Sequence, residues 1–252
     1  MRDAVQLAGV AARPARPEGV VLLHGIGRNH RWLKKLERAL QREGFATLNL
    51  DYASRKKPLD LLAADIDGPI RRFAAETRGP LHFVGHSMGG LLARVYLAKH
   101  RPMRLGRVVM LGTPNGGSEI ADHLHDLALY RAYYGPAGQQ LTTRLDAALS
   151  SLPPLDYDVG VIAGSRSIAP VASLFKMSKP NDTMVSVESS RLDGMADHVV
   201  VRASHAGLPY HAEAIAQTIA FLREGRFKGS CRSNYVCGPE SEISRSARNT
   251  LL

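Results

Sequence analysis

A serine between glycines, GHSMGG at residues 85–90, is where this chain first offers chemistry. A serine hydroxyl attacks a carbonyl efficiently when a base takes its proton, a carboxylate holds that base in the right tautomer, and N–H donors wait where the oxyanion will form. The pattern Gly-x-Ser-x-Gly lets a chain turn sharply enough to lift Ser87 Oγ clear of a strand's end, yet glycine and serine also crowd into ordinary turns. The flanking residues decide between the two. LHFVGH (81–86) reads as a strand, and Leu91, Leu92 and Val95 follow at helical spacing. Ser87 is therefore expected at a strand-to-helix turn, with the positive end of a helix dipole behind it.

Two backbone N–H groups usually serve the oxyanion, one from the residue after the nucleophile and one from an early strand-to-helix loop. The first is Met88. The second falls in His24-Gly25-Ile26-Gly27, just after the apolar run VVLLH (20–24), and Ile26 N–H is the donor this loop offers. A plain connection would also use glycines there, and that reading stays open. His24 and Gly25 are candidate substrate contacts in the same loop.

Base and acid should follow the serine in the order serine, acid, histidine. Of ten histidines, those before Ser87 come too early, and His86 sits inside the turn, pointing elsewhere. His123 and His125 in DHLHD lie two apart on an expected helix, so their rings diverge; a solvated face is the simpler reading and no metal site is expected. His198, His205 and His211 remain. His198 opens an apolar strand and His211 falls in the first turn of the last helix. His205 lies in the loop between them, past a strand's carboxyl end, where open α/β sheets place their sites. For the acid, Asp182 in KPNDTMVSVESS occupies a polar turn before a β-branched run. Asp158, Glu188, Asp193 and Asp197 are the alternatives, each more simply read as surface charge.

The elements that must position these residues alternate between short apolar runs and longer stretches of helical period, the pattern of a parallel sheet flanked by helices. The runs are VVLLH, ATLNL (46–50), LHFVGH, RVVMLG (107–112), DVGVIAG (158–164) and HVVV (198–201). Between them, Trp32, Leu36 and Leu40 share one helix face ahead of Gly44. A second helix opens at Pro58 and carries Leu59, Leu62, Ile66, Ile70 and Phe73, and the last opens at Pro209 and buries Ile215, Ile219 and Leu222. Residues 115–156 interrupt the alternation with a polar helix, a Gly-Pro turn and a second helix bearing Leu141, Leu145 and Leu149. This is an insertion between strands, the natural place for a cap, and Leu124 and Leu127 in it are candidate acyl contacts. From Gly229 the chain turns Ser-rich and loses periodicity, so residues 1–228 are expected to form one catalytic domain and 229–252 a disordered or non-native tail.

Composition narrows the class. At 252 residues and 44% hydrophobic content the chain can bury a sizeable core. The net charge of +10 comes mostly from dispersed arginines, with no basic run alternating with aromatics, which disfavours nucleic acid and leaves weak attraction to anionic lipid. Both cysteines, Cys231 and Cys237, lie in the final segment, so no disulfide framework holds the core. The N-terminus has no apolar stretch long enough for a signal peptide and no run approaches a membrane span, so a soluble, cytoplasmic protein is expected, with secretion after removal of a leader as the alternative.

Taken together, His24-Gly25, Gly85 to Gly90, Gly112 to Ser118 (GTPNGGS), Asn181-Asp182 and Ser204 to Gly207 resemble bacterial α/β-hydrolase lipases and esterases of the triacylglycerol-lipase-like group, over roughly residues 18–228. The resemblance implies an α/β-hydrolase fold and makes Ser87, Asp182 and His205 the catalytic triad. Secreted members often carry a calcium-ligating aspartate where this chain has Gly207, and a glycine after the acid where it has Thr183; no calcium and no other cofactor is expected. The activity implied is hydrolysis of small-molecule carboxylic esters or lipids. The small, largely polar insertion favours short to medium acyl chains. The same machinery could act as a thioesterase, amidase or acyltransferase, and an inactive binding module is the rival outside enzymes.

Overall fold

The computed structural model describes residues 17–144, 147–168 and 177–229. Six parallel strands form one sheet in the order β2-β1-β3-β4-β5-β6. These are β1 (Gly19–Leu23), β2 (Ala46–Leu50), β3 (Leu81–His86), β4 (Leu105–Leu111), β5 (Val159–Gly164) and β6 (Asp197–Val201). Each expected apolar run is a strand, because a parallel sheet covered on both faces buries successive side chains alike. All of β1, β3 and β5 is buried.

Alternation across the pleat divides the interior into two cores. Val21, Leu23 and Phe83 pack with α2 (Leu59–Glu76) and α3 (Met88–His100), through Leu62, Ile66, Leu92 and Tyr96. Val20, Leu22 and Val84 face the other way, onto α1 (Lys34–Arg42) and α8 (Ala212–Glu224), through Leu36, Leu40, Phe221 and Leu222. The chain steps from β1 out to β2, then back across β1 to β3. That reversal opens a crevice at the carboxyl ends of β1 and β3.

The insertion is more broken than its sequence suggests. The polar helix expected there divides into α4 (Glu119–Leu124) and α5 (Ala128–Gln139), because Leu127 adopts an extended backbone and caps α5. The Gly-Pro turn lies inside α5, where Gly135 takes φ 62° ahead of Pro136. Of the expected second helix, residues 141–144 are turn rather than helix and α6 (Ala147–Ser150) is helical; Leu141 and Leu149 are buried, and Leu145 falls outside the described residues. A single turn, α7 (Val187–Ser190), precedes β6. The last helix opens at Ala212 rather than at Pro209, because His211 is extended and forms its N-cap. Pro209 belongs to a 3-10 turn, His205–Tyr210. Nearly all of the expected tail, residues 230–252, lies outside the described residues. Among those that are described, no helix is long and apolar enough to cross a membrane.

Candidate active site

Ser87 follows β3 and precedes the first residue of α3 with φ 56° and ψ −129°, a left-handed backbone that a side-chain-bearing residue adopts only under constraint. The constraint is visible on three sides. Ser87 N–H donates to the Leu111 carbonyl at 2.8 Å, its carbonyl accepts from Gly90 N–H at 3.0 Å, and Thr113 Oγ1 donates to that same carbonyl at 3.0 Å. Gly89 lies so close to β1 that a Cβ there would stand 2.1 Å from the Leu23 carbonyl oxygen. Thr113 belongs to the GTPNGGS segment, which thus supports the turn from beneath.

His205 meets Ser87 from the loop after β6. Its Nε2 lies 2.9 Å from Ser87 Oγ, and its Nδ1 lies 2.8 Å from Asp182 Oδ2. With Nδ1 protonated and donating to the carboxylate, Nε2 is left free to accept the serine proton. Asp182 is only 1% exposed, and its other oxygen accepts from the backbone N–H groups of Met184 and Val185, at 3.0 and 2.8 Å. His205 N–H also donates to the Asp182 carbonyl at 2.9 Å, so the two loops are joined by backbone as well as side chain. The competing residues are placed elsewhere. His198 Nε2 faces Ser190 Oγ, His211 caps α8, Asp158 faces Arg107, Glu188 faces Arg191, Asp193 is exposed, and Asp197 accepts from the N–H groups of His198 and Phe227.

The Gly25–Ile26 loop abuts the serine directly: a Cβ on Gly25 would lie 3.1 Å from Ser87 Cβ. Tyr52 Oη donates to the His24 carbonyl and Gly27 N–H donates to Ser54 Oγ, so the loop is held on both sides of Ile26. Met88 begins α3, where first-turn N–H groups have no partner within the helix. Gly25, Ile26, Ser87, Tyr134, Thr183 and His205 border a cleft of about 260 Å³. His24 is fully buried behind this cleft, stacked on Tyr52 with ring centroids 4.1 Å apart. Leu124 packs toward Ile120, Met177 and Met184, and Leu127 lies half exposed on the surface; neither borders the cleft.

Two features were not anticipated. His86, read as pointing away from the site, donates from Nε2 to the His205 carbonyl at 3.0 Å, while its buried Nδ1 has no partner among the described residues. Burial above all, and then the nearby His205, push its pKa down to about 3, so His86 stays neutral and acts as a fixed donor to the His205 backbone. Thr183 adopts φ 94°, left-handed backbone on a β-branched residue immediately after Asp182. Its Oγ1 accepts from Ile168 N–H at 2.7 Å and its N–H donates to Asn181 Oδ1 at 3.1 Å. A glycine would adopt that φ freely but would lack the acceptor that ties Ile168 to the acid's turn.

A family model described as the alpha/beta hydrolase fold matches residues 19–157. Among solved structures, the mature form of the Bacillus licheniformis lipase BlEst2 superposes with a TM-score of 0.66 at 18% identity, covering 85% of this chain and 94% of that one. A metagenomic carboxyl esterase aligns with a TM-score of 0.60 at 19% identity, over 82% of this chain and 71% of its own. The type II thioesterase BorB of the borrelidin biosynthetic cluster aligns at 0.52 with 19% identity, over 84% and 94%. At such identities the structures speak for the fold alone, and the family model spans more than half of the chain. It belongs to the α/β-hydrolase fold family.

Proposed function

We propose that this protein is a serine carboxylesterase acting on esters of short to medium acyl length. The observation that carries the reading is the continuous chain Ser87 Oγ, His205 Nε2, His205 Nδ1, Asp182 Oδ2, with links of 2.9 and 2.8 Å. As Ser87 Oγ attacks the ester carbonyl, its proton passes to His205 Nε2. Asp182 keeps the ring oriented and stabilises the imidazolium. The N–H groups of Ile26 and Met88 receive the oxyanion. Collapse breaks the ester C–O bond, and the departing alcohol leaves with the proton from His205. Water, deprotonated by the same nitrogen, then cleaves the acyl-enzyme to the acid and free Ser87.

The cleft's size supports the acyl preference, since about 260 Å³ lies below the range of pockets that enclose drug-sized ligands. The insertion at 115–156 acts as its cap. Tyr134 of α5 borders the cleft, and on the same helix a Cβ added at Gly138 would stand 3.5 Å from Ile26 Cδ1. The lipase, esterase and thioesterase among the structural neighbours are consistent with acyl transfer to water, and the thioesterase keeps thioesters as the second substrate class to assay. The test is covalent labelling by a fluorophosphonate, with the adduct mapped by mass spectrometry, beside turnover of p-nitrophenyl esters from C4 to C16. Label on Ser87 and rates that peak at short or medium chains are expected. Absence of labelling together with absence of turnover would remove the reading, and rates rising steadily to C16 would replace it with a long-chain lipase.

A further inference from the structure

The loop that carries Ile26 also carries Arg28, which borders the same cleft as Ser87 and His205. Its guanidinium lies over the Trp32 ring, 4.1 Å from the centroid, and its own backbone N–H is fixed to the Gly25 carbonyl at 3.2 Å. Stacking on an aromatic face restrains a guanidinium while leaving its in-plane N–H fork open. Among the described residues Arg28 has no carboxylate within ion-pair distance. Other cations around this rim are differently placed. Arg55 donates to the Tyr133 carbonyl and lies over that ring, and Lys35 donates to the Tyr210 carbonyl. Among the described residues, the one carboxylate bordering the cleft is Asp182, which is buried and engaged by His205 and two backbone N–H groups. A substrate lying against Ser87 thus meets a positive group held in a set orientation, and the acid beside it is already occupied.

We infer that Arg28, stacked on Trp32, is an anion-recognising specificity residue, and that the preferred substrate carries a carboxylate or phosphate close to its scissile acyl group. This rests on the ester-hydrolase reading above and names the substrate class within it. A planar fork suits both anions, since each presents paired oxygens to parallel N–H donors. The chain's net charge of +10 draws anionic substrates in the same direction.

Two arms distinguish an anion on the acyl side from one on the alcohol side. In the first, mono-p-nitrophenyl glutarate is compared with its neutral methyl ester. In the second, a butyryl ester of glycerol 3-phosphate is compared with butyrylglycerol. In at least one arm kcat/KM should favour the anionic substrate, and the anionic-to-neutral ratio should fall about tenfold in Arg28→Gln, the low end for a charge-assisted bond because this guanidinium faces solvent. Arg28→Lys, which keeps the charge and loses the fork, should fall between. Ratios that move less than twofold in both arms would overturn the inference.

Trp32 is the chain's single tryptophan, so its emission reports binding without catalysis. Titration with glutarate and with glycerol 3-phosphate, against sodium chloride at matched ionic strength, should give a saturable change in the wild type that is lost in Arg28→Gln. A response no different from salt would count against the site. Saturable binding without hydrolysis of any ester would instead retire the esterase reading and leave the anion site standing. Hydrolysis with neither discrimination nor a Trp32 response would do the reverse.

Discussion

At the amino ends of the strands, Leu81, Tyr96 and residues 100–104 help line a groove of about 660 Å³; at the carboxyl ends the cleft over Ser87 holds about 260 Å³. Most charged groups of the larger cavity already have partners. Asp67 accepts from Tyr96 Oη at 3.3 Å and lies 3.8 Å from both Arg71 and His100. Arg104 donates to the Ala74 and Thr77 carbonyls, and Arg101 is paired with Asp156. The smaller one gathers what the larger lacks. Ser87 and Thr183, the non-glycine residues with left-handed backbone among those described, both border it, together with a hydroxyl aimed at a histidine. Strain and convergent groups single out the proposed reactive end where volume does not, because residues held in unfavourable backbone cost stability and cluster where a site needs them.

The contrast breaks first at the serine. Ser87→Ala should lower esterase kcat by on the order of 10⁴-fold or more with the melting temperature little changed, since the hydroxyl contributes little packing. Steady-state kinetics beside calorimetry checks this, and near-normal turnover would move the reaction elsewhere. Next is the acid. Asp182→Asn can still accept from Met184 and Val185 N–H, so the fold should persist while kcat falls by roughly 10³- to 10⁴-fold through loss of the correct histidine tautomer. If the Asp182→Asn variant turned over substrate like the wild type, one of the other carboxylates would have to be the partner.

Replacing His86 by Leu removes the donor to the His205 carbonyl and should lower kcat by up to about 10²-fold through misplacement of the base. It should also change the pH dependence of stability. A neutral buried histidine with its pKa lowered to about 3 binds fewer protons than the unfolded chain between roughly pH 3 and 6.5. Its contribution is complete above 6.5 and declines as pH falls through that window. His24, His82 and His198 are lowered too, each chiefly by burial, so the wild type should lose stability on acidification below 6.5 and His86→Leu should lose it less steeply. Urea unfolding at pH 7.5 and 4.5 measures both slopes, and parallel slopes would mean that His86 takes up its proton over the same pH range in the native state as in the unfolded chain. The smallest effect is expected at the other end of the sheet. Tyr96→Phe removes the bond to Asp67 and should cost about 0.5–1.5 kcal/mol of stability without changing the rate at which a fluorophosphonate labels Ser87. A slower labelling rate would show that the two ends are coupled.

Much of the fold was legible in the chain. Strands buried on both faces leave unbroken apolar runs, helices covering them leave a 3.6-residue stripe, and both signals are local. The serine turn was legible for the same reason, as Gly85, Ser87 and Gly89 sit between a readable strand and a readable helix. Where local signals competed, the reading slipped. Pro209 looked like a helix start but lies in a 3-10 turn, and the insertion's first stretch looked like one polar helix although Leu127 breaks it. Leu124 and Leu127 looked like acyl contacts because burial and surface position cannot be told apart from residue type.

Sequence by itself determined the alternation of strands and helices, the serine's place between them and the supply of histidines and carboxylates downstream. Only the tertiary structure decided which of these meet. His205 and Asp182 are 118 and 95 positions away from Ser87 along the chain, yet hydrogen bonds link them, directly from His205 and through it from Asp182. The role of His86 is likewise set by the His205 carbonyl, 119 residues on. Propensity and periodicity act over a few residues, whereas the meeting of three loops depends on strand order, on the close approach of Gly89 to β1 and on the backbone bond from His205 to Asp182, all of which exist only once the sheet has formed.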